Sequence, residues 1–223
     1  MKTPLLLSAY FALRRGYKRM TPAARMATRR FVRSQKTDGG YLNAGGKTDP
    51  YYKQFGRVLE MTFSPYKILW RKIDLTVQES RNKNNLYGMF FNFLENELYR
   101  RDDLPRHITA ELPRIRTTNA VCCLLAMKHQ TGEKLDEELV KWLLDRQDET
   151  GGFYASELAP IPDLLSTAVA LFTLRLIGRK TRDAREFVEA HWLEDGKFTP
   201  TILDDYSDVE YVFYGLMALG SAT

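Results

Sequence analysis

The chain has 223 residues, 44% hydrophobic and 27% charged, a balance that suits one globular domain burying its own core without disulfides or metals. No apolar run approaches the roughly 20 residues needed to cross a bilayer, so no transmembrane segment is expected. The net charge of +5 is moderate and comes without a nucleic-acid motif, so nucleic acid is not the expected partner.

At the N-terminus, Lys2 and the apolar run from Leu5 to Leu13 superficially suggest a signal peptide. The run leads straight into Arg14-Arg15 with no small-x-small cleavage site, so the expectation is an amphipathic first helix. Arg14, Arg15, Lys18, Arg19, Arg25, Arg29, Arg30 and Arg33 follow with almost no acidic residues. Such a stretch reads as a solvated helix face that could also touch a phosphate or an anionic membrane surface.

Three segments then share one plan. The first contains Asp38-Gly39-Gly40-Tyr41, then Asp49 with Gly56 seven residues later. The second contains Thr150-Gly151-Gly152-Phe153, then Asp163 and Ala170, and the third Asp195-Gly196-Lys197-Phe198, then Asp208 and Gly215. In each, a helix ends, a glycine turn delivers an aromatic residue, and a second helix opens at an Asp. The glycines suit left-handed backbone past a helix end, and the aromatic plugs the gap between neighbouring hairpins. The Asp caps the next helix, while the small residue two turns on keeps one helix side thin. Asp49, Asp163 and Asp208 are therefore first of all caps. Second helices such as Leu164 to Phe172 and Tyr211 to Leu219 are apolar nearly all round and read as inner helices.

Between Tyr41 and Phe153 lie 112 positions, room for a degenerate unit whose second helix runs from Thr117 to His129, with Asn119 or Thr117 at the cap and Gly132 beyond its end. Residues 65–101, with Tyr66, Trp70 and Leu86 to Phe91, are helical in periodicity but keep little of the turn signature. Cys122 and Cys123 are sequence neighbours that cannot form an ordinary structural disulfide with each other, which fits small core residues in a reducing, cytoplasmic setting. The expected organisation is one all-α domain over 1–223, with clear units at about 27–63, 138–178 and 184–220 and a degenerate middle at 64–133.

The turns Gln35 to Tyr41 and Gln147 to Phe153 resemble the Gln-rich, Gly-aromatic repeat of squalene-type cyclases and of protein prenyltransferase β subunits, in the terpenoid cyclase and prenyltransferase α/α-toroid superfamily. The resemblance covers roughly residues 20–63 and 135–220. It implies toroid-like hairpin repeats, concentric inner and outer helices, and inner N-termini facing an aromatic-lined central cavity. With eight to ten helices where the family uses about a dozen, an incomplete ring is expected.

The family's catalytic signatures carry over poorly. Asp163 matches the zinc-ligand Asp of the prenyltransferases, but Leu165 stands where a Cys is expected and Tyr211 where a His is expected, so no zinc is expected. Cys122 with His107, His129 or His191 fits no standard zinc spacing. The Asp-x-Asp-Asp proton donor of the cyclases is absent. Asp204-Asp205-Tyr206-Ser207-Asp208 spells the Mg²⁺-diphosphate motif of a different fold, but it lies at a turn-to-helix junction. No phosphate loop, dinucleotide fingerprint or Ser-His-Asp arrangement is readable, so no cofactor is expected.

Two functional readings remain. In one, a cavity acts on or binds an isoprenoid or other hydrophobic chain. Tyr51, Tyr52, Tyr211 and Tyr214, with Phe55 and Phe213, would line it, and Asp49, Asp163, Asp208 and Asn119 would crowd one rim as candidate acids or polar contacts. In the other, a scaffold without catalytic residues offers its groove to an apolar ligand, a partner protein or a second copy that completes the ring.

Overall fold

The computed structural model describes residues 2–64, 86–99, 104–109, 111–114 and 116–222. It is mostly helical. In chain order the elements are α1 (Leu5–Arg19), α2 (Pro22–Ser34), β1 (Lys36–Thr37), β2 (Gly40–Leu42), β3 (Thr48–Asp49), α3 (Pro50–Phe63), α4 (Leu86–Tyr99) and α5 (Thr118–Thr131). These are followed by α6 (Glu137–Leu144), β4 (Phe153–Tyr154), β5 (Pro162–Asp163), α7 (Leu164–Leu176), α8 (Arg185–Ala190) and α9 (Val209–Ser221). The strands are two or three residues long and belong to the turns. Tyr66 and Trp70 lie outside the described residues, as do the other positions of 65–85 in the degenerate middle.

Side chains cap several helix starts. Thr21, Asp136 and Thr117 accept backbone N–H bonds at the heads of α2, α6 and α5, and Gly132 closes α5 in the left-handed conformation. Helices α5, α7 and α9 bury residues on nearly every side, whereas α2, α6 and α8 bury only one or a few positions. Packing runs from α5 to α7 to α9 and on to α3, so the last helix lies beside α3.

The turns repeat this relation one unit at a time. Gly151 has φ +91° and sits against the backbone of Asp183 and Ala184, just before α8. Gly196 has φ +96° and sits in the same way against Ala27 and Thr28 of α2. Both positions combine left-handed backbone with a space that a Cβ would overfill, which is why glycine serves there. Gln147 reinforces the first contact: its amide donates to the carbonyls of Gly151 and Arg182, and its oxygen accepts from Arg182 N–H at 2.9 Å. Trp192 reinforces the second by donating to Thr28 Oγ1 at 3.2 Å.

The aromatic plugs seat as the spacing predicts. A Cβ at Gly56 would overlap the Tyr41 ring, and one at Gly215 the Phe198 ring, while Phe153 is fully buried with its N–H donating to Thr167 Oγ1 at 2.8 Å. One register differs from the sequence alignment. Phe153 pairs with Gln147 and Phe198 with Trp192, six positions back, but Tyr41 pairs with Lys36, five positions back. The first turn is one residue tighter, so Gln35 does not play the part of Gln147; its side chain only donates to neighbouring Ser34 Oγ.

Helix α1 is more than an exposed amphipathic addition. It crosses α9 with backbones touching: a Cβ at Gly16 would collide with the Leu216 carbonyl, and one at Gly220 with the Ala12 carbonyl. Arg15 Nε donates to Gly220 O at 2.9 Å and Arg19 donates to the carbonyls of Leu219 and Ala222, so two arginines satisfy the C-terminal end of α9. At the other end of α1, Leu5 N–H donates to buried Glu97 at 2.6 Å, and Lys2 and Thr3 bond to His129 and Gln130 at the end of α5. Tyr17 rests on Phe63, the last residue of α3, with ring centroids 5.0 Å apart.

Candidate functional site

The heads of α3 and α9 lie together, and their first turns carry most of the predicted residues. Asp49 Oδ1 accepts from Tyr51 N–H at 2.9 Å, and Asp208 Oδ1 accepts from the N–H groups of Glu210 and Tyr211 at 2.9 and 3.3 Å. Asp163 Oδ1 accepts from Ser166 N–H at 2.8 Å at the head of α7. All three therefore hold helix N-termini. At α5 the cap is Thr117, and Asn119 stands one position inside the helix, where its side-chain oxygen accepts from Cys123 Sγ at 3.8 Å.

From these heads an aromatic chain runs into the molecule. Tyr51 meets Tyr52 and Phe55 at 5.2 Å each, Phe55 meets Phe213 at 5.2 Å and Tyr214 at 6.0 Å, and Phe213 meets Tyr214 at 5.5 Å. Most of these contacts are edge-on, the arrangement that aromatic quadrupoles favour. Every ring in the chain keeps some accessible surface. Tyr214 does so although protein surrounds it so completely that desolvation, then the charges of Glu210 and others, hold its phenol well above the usual range. Cys123 of α5 also acts on Tyr214, which brings Asn119's helix to the same interior.

The residue that sequence reasoning missed is Glu210. Tyr51 Oη donates to its Oε1 at 2.8 Å. Burial, partly offset by that bond and reinforced by the charge of Asp208, raises its carboxyl to about 7. The Asp208 carboxyl is raised too, chiefly by burial and against the backbone bonds of its capping role, with the nearby Tyr52 hydroxyl also opposing the rise. Burial likewise raises the phenols of Tyr51, Tyr52 and Tyr211. Among the described residues, neither Glu210 nor Asp208 forms an ion pair. The signal for Glu210 was available in outline, since an acid two residues past a buried cap lies in the same helical turn.

Tyr211 joins the α7 and α9 heads, because Asp208, Glu210 and Asp163 all act on it. His191 is fully buried; its Nδ1 donates to Phe187 O at 2.8 Å, its Nε2 has no partner among the described residues, and burial lowers its pKa. Asp204 does not join Asp208: it accepts from Thr201 N–H and Oγ1 at 3.0 and 2.7 Å. No group of three or more His, Cys, Asp or Glu side chains placed to hold a metal occurs among the described residues. Cys122 and Cys123 are both buried and free. An open groove of about 620 Å³, lined by Asp148, Glu149, Asp183, Glu186, Phe187 and Ile202, contains none of the predicted site residues.

No protein-family model matches the chain, and no curated protein matches it.

Proposed function

We propose that the chain binds a neutral, hydrophobic chain of isoprenoid or similar character in the hollow bordered by α3, α9 and α5. The observation that carries this reading is the row of partly accessible rings on inner helices, ending at a carboxyl that titrates near neutrality. Apolar walls with a few convergent polar groups are the usual make-up of a small-molecule site. Two acids, neither of them in an ion pair among the described residues, disfavour a diphosphate and favour an uncharged ligand whose single polar end meets Glu210.

Toroid-like hairpin repeats supply the frame for this reading. It is supported by the recurrence of one turn contact from unit to unit and by the seating of the last unit against the first. Binding is favoured over conversion because Asp49, Asp163 and Asp208 are each engaged at a helix head.

The test is lipid extraction of the purified protein with mass spectrometry, followed by titration of the emptied protein with a neutral isoprenol and with its diphosphate. Saturable uptake of the alcohol, weakened by Tyr214→Trp filling the hollow, is expected. Absence of any extracted chain together with no saturable uptake of either compound refutes the reading. Tighter uptake of the diphosphate refutes its electrostatic part.

A further inference from the structure

We propose that the outward faces of α1 and α2 form a docking surface for an anionic lipid bilayer. Residues 2–37 carry ten basic side chains and no acidic one, the first acid being Asp38. Several of the ten have work inside the protein: Arg15 and Arg19 close the end of α9, and Lys36 pairs with Glu60 at 2.6 Å. Lys18, Arg29, Arg30 and Arg33 have no acidic partner among the described residues, and Lys18, Arg30 and Arg33 are exposed.

Large apolar side chains stand exposed in the same two helices. Leu7, Phe11 and Met26 are 39%, 47% and 62% exposed. Leu7 and Phe11 are one turn apart on α1, and Lys18 lies two turns beyond Phe11 on the same face. On α2, Met26, Arg30 and Arg33 recur at intervals of four and three residues and share a face. Basic residues interleaved with apolar ones on a solvent-facing helix are what an interfacial helix needs: the cations meet lipid headgroups and the apolar groups enter the acyl boundary. Nucleic acid would satisfy the cations, but aliphatic Leu7 and Met26 have no base to stack on there.

The buried side of α1 is held by backbone contact with α9, so the exposed side can engage a surface without unfolding the helix. This surface is separate from the Glu210 hollow, and either proposal can fail alone.

The experiment is flotation of the full chain with vesicles of phosphatidylcholine alone and of phosphatidylcholine mixed with phosphatidylserine. Binding is expected only to the mixed vesicles, falling with salt. The triple variant K18E/R30E/R33E should lose on the order of a hundred-fold in partition, at about five-fold per cation removed. A second variant, F11S/M26S, should bind the mixed vesicles more weakly while keeping the salt dependence, and circular dichroism melting should match the parent for both. No binding to the mixed vesicles overturns the proposal, as does parent-like flotation of a folded K18E/R30E/R33E. Displacement from vesicles by duplex nucleic acid, with F11S/M26S indistinguishable from the parent, reassigns the surface to nucleic acid and also overturns it.

Discussion

Replacing Glu210 by Gln isolates the effect of its charge, because the amide keeps an oxygen to accept from Tyr51 Oη and cannot ionise. In the unfolded chain this carboxyl titrates near 4.5, and in the folded protein at about 7. Below the lower value both states hold the proton. Between the two the unfolded chain releases it while the folded protein retains it, so stability is lost as pH rises through about 7. At about 1.4 kcal/mol per pH unit, the separation amounts to roughly 3 kcal/mol above neutrality. E210Q escapes that loss. It should be more stable than the parent by about 3 kcal/mol near pH 8.5, shrinking below about 1 kcal/mol near pH 5. Urea unfolding at both pH values, followed by tryptophan fluorescence, reads the difference. An offset that is the same at both values, or a variant less stable than the parent at the higher one, would show that burial does not hold a proton on Glu210. Tyr51→Phe adds an internal check. It removes a bond that favours the charged form, so the pH-dependent loss should become larger and move to higher pH.

Three further outcomes follow from the packing and the caps. Gly16→Ala or Gly220→Ala drives a methyl into a helix carbonyl where α1 crosses α9, and should cost about 1–3 kcal/mol in urea unfolding; parent-like stability would mean that the crossing is looser than described. Asp163→Ala should cost about 1 kcal/mol through loss of the α7 cap, whereas Asp163→Asn, which can still accept from Ser166 N–H, should be nearly neutral; equal losses in both would assign the residue's role to its charge. Cys122 and Cys123 are buried, and burial pushes the Cys122 thiol up to about 12, so a thiol reagent should label them only at the rate of opening; rapid labelling of the native protein would contradict the packing of α5.

The turns and helix heads were legible because each of their parts is a local event: a glycine with nowhere to put a Cβ, an aromatic ring over a thin helix, an Asp at a helix head. The caps and the plugs of Tyr41 and Phe198 could be read that way. Two kinds of fact could not. The tighter first turn depends on pairing between Lys36 and Tyr41, and the repeated Gln pointed to a register one residue longer. The place of α1 depends on contacts about 200 positions away in sequence, where Gly16 and Gly220 look like unremarkable helix residues until the two backbones meet.

Glu210 differs from the three repeated Asp residues in what its carboxyl touches. The repeated Asp attracts attention by recurring, yet recurrence at a helix head is what capping alone produces, and a carboxylate bonded to backbone N–H groups is held in its charged form. Those bonds oppose the effect of burial at Asp163 and Asp208. Among the described residues, no backbone N–H bonds to the Glu210 carboxyl. Its longer side chain carries the carboxyl past the helix head to Tyr51, so burial acts on it against a single phenolic donor and under the charge of Asp208. The proton near neutrality therefore belongs to the acid in the repeat unit that has no capping duty, and E210Q tests that assignment where Asp163→Asn cannot.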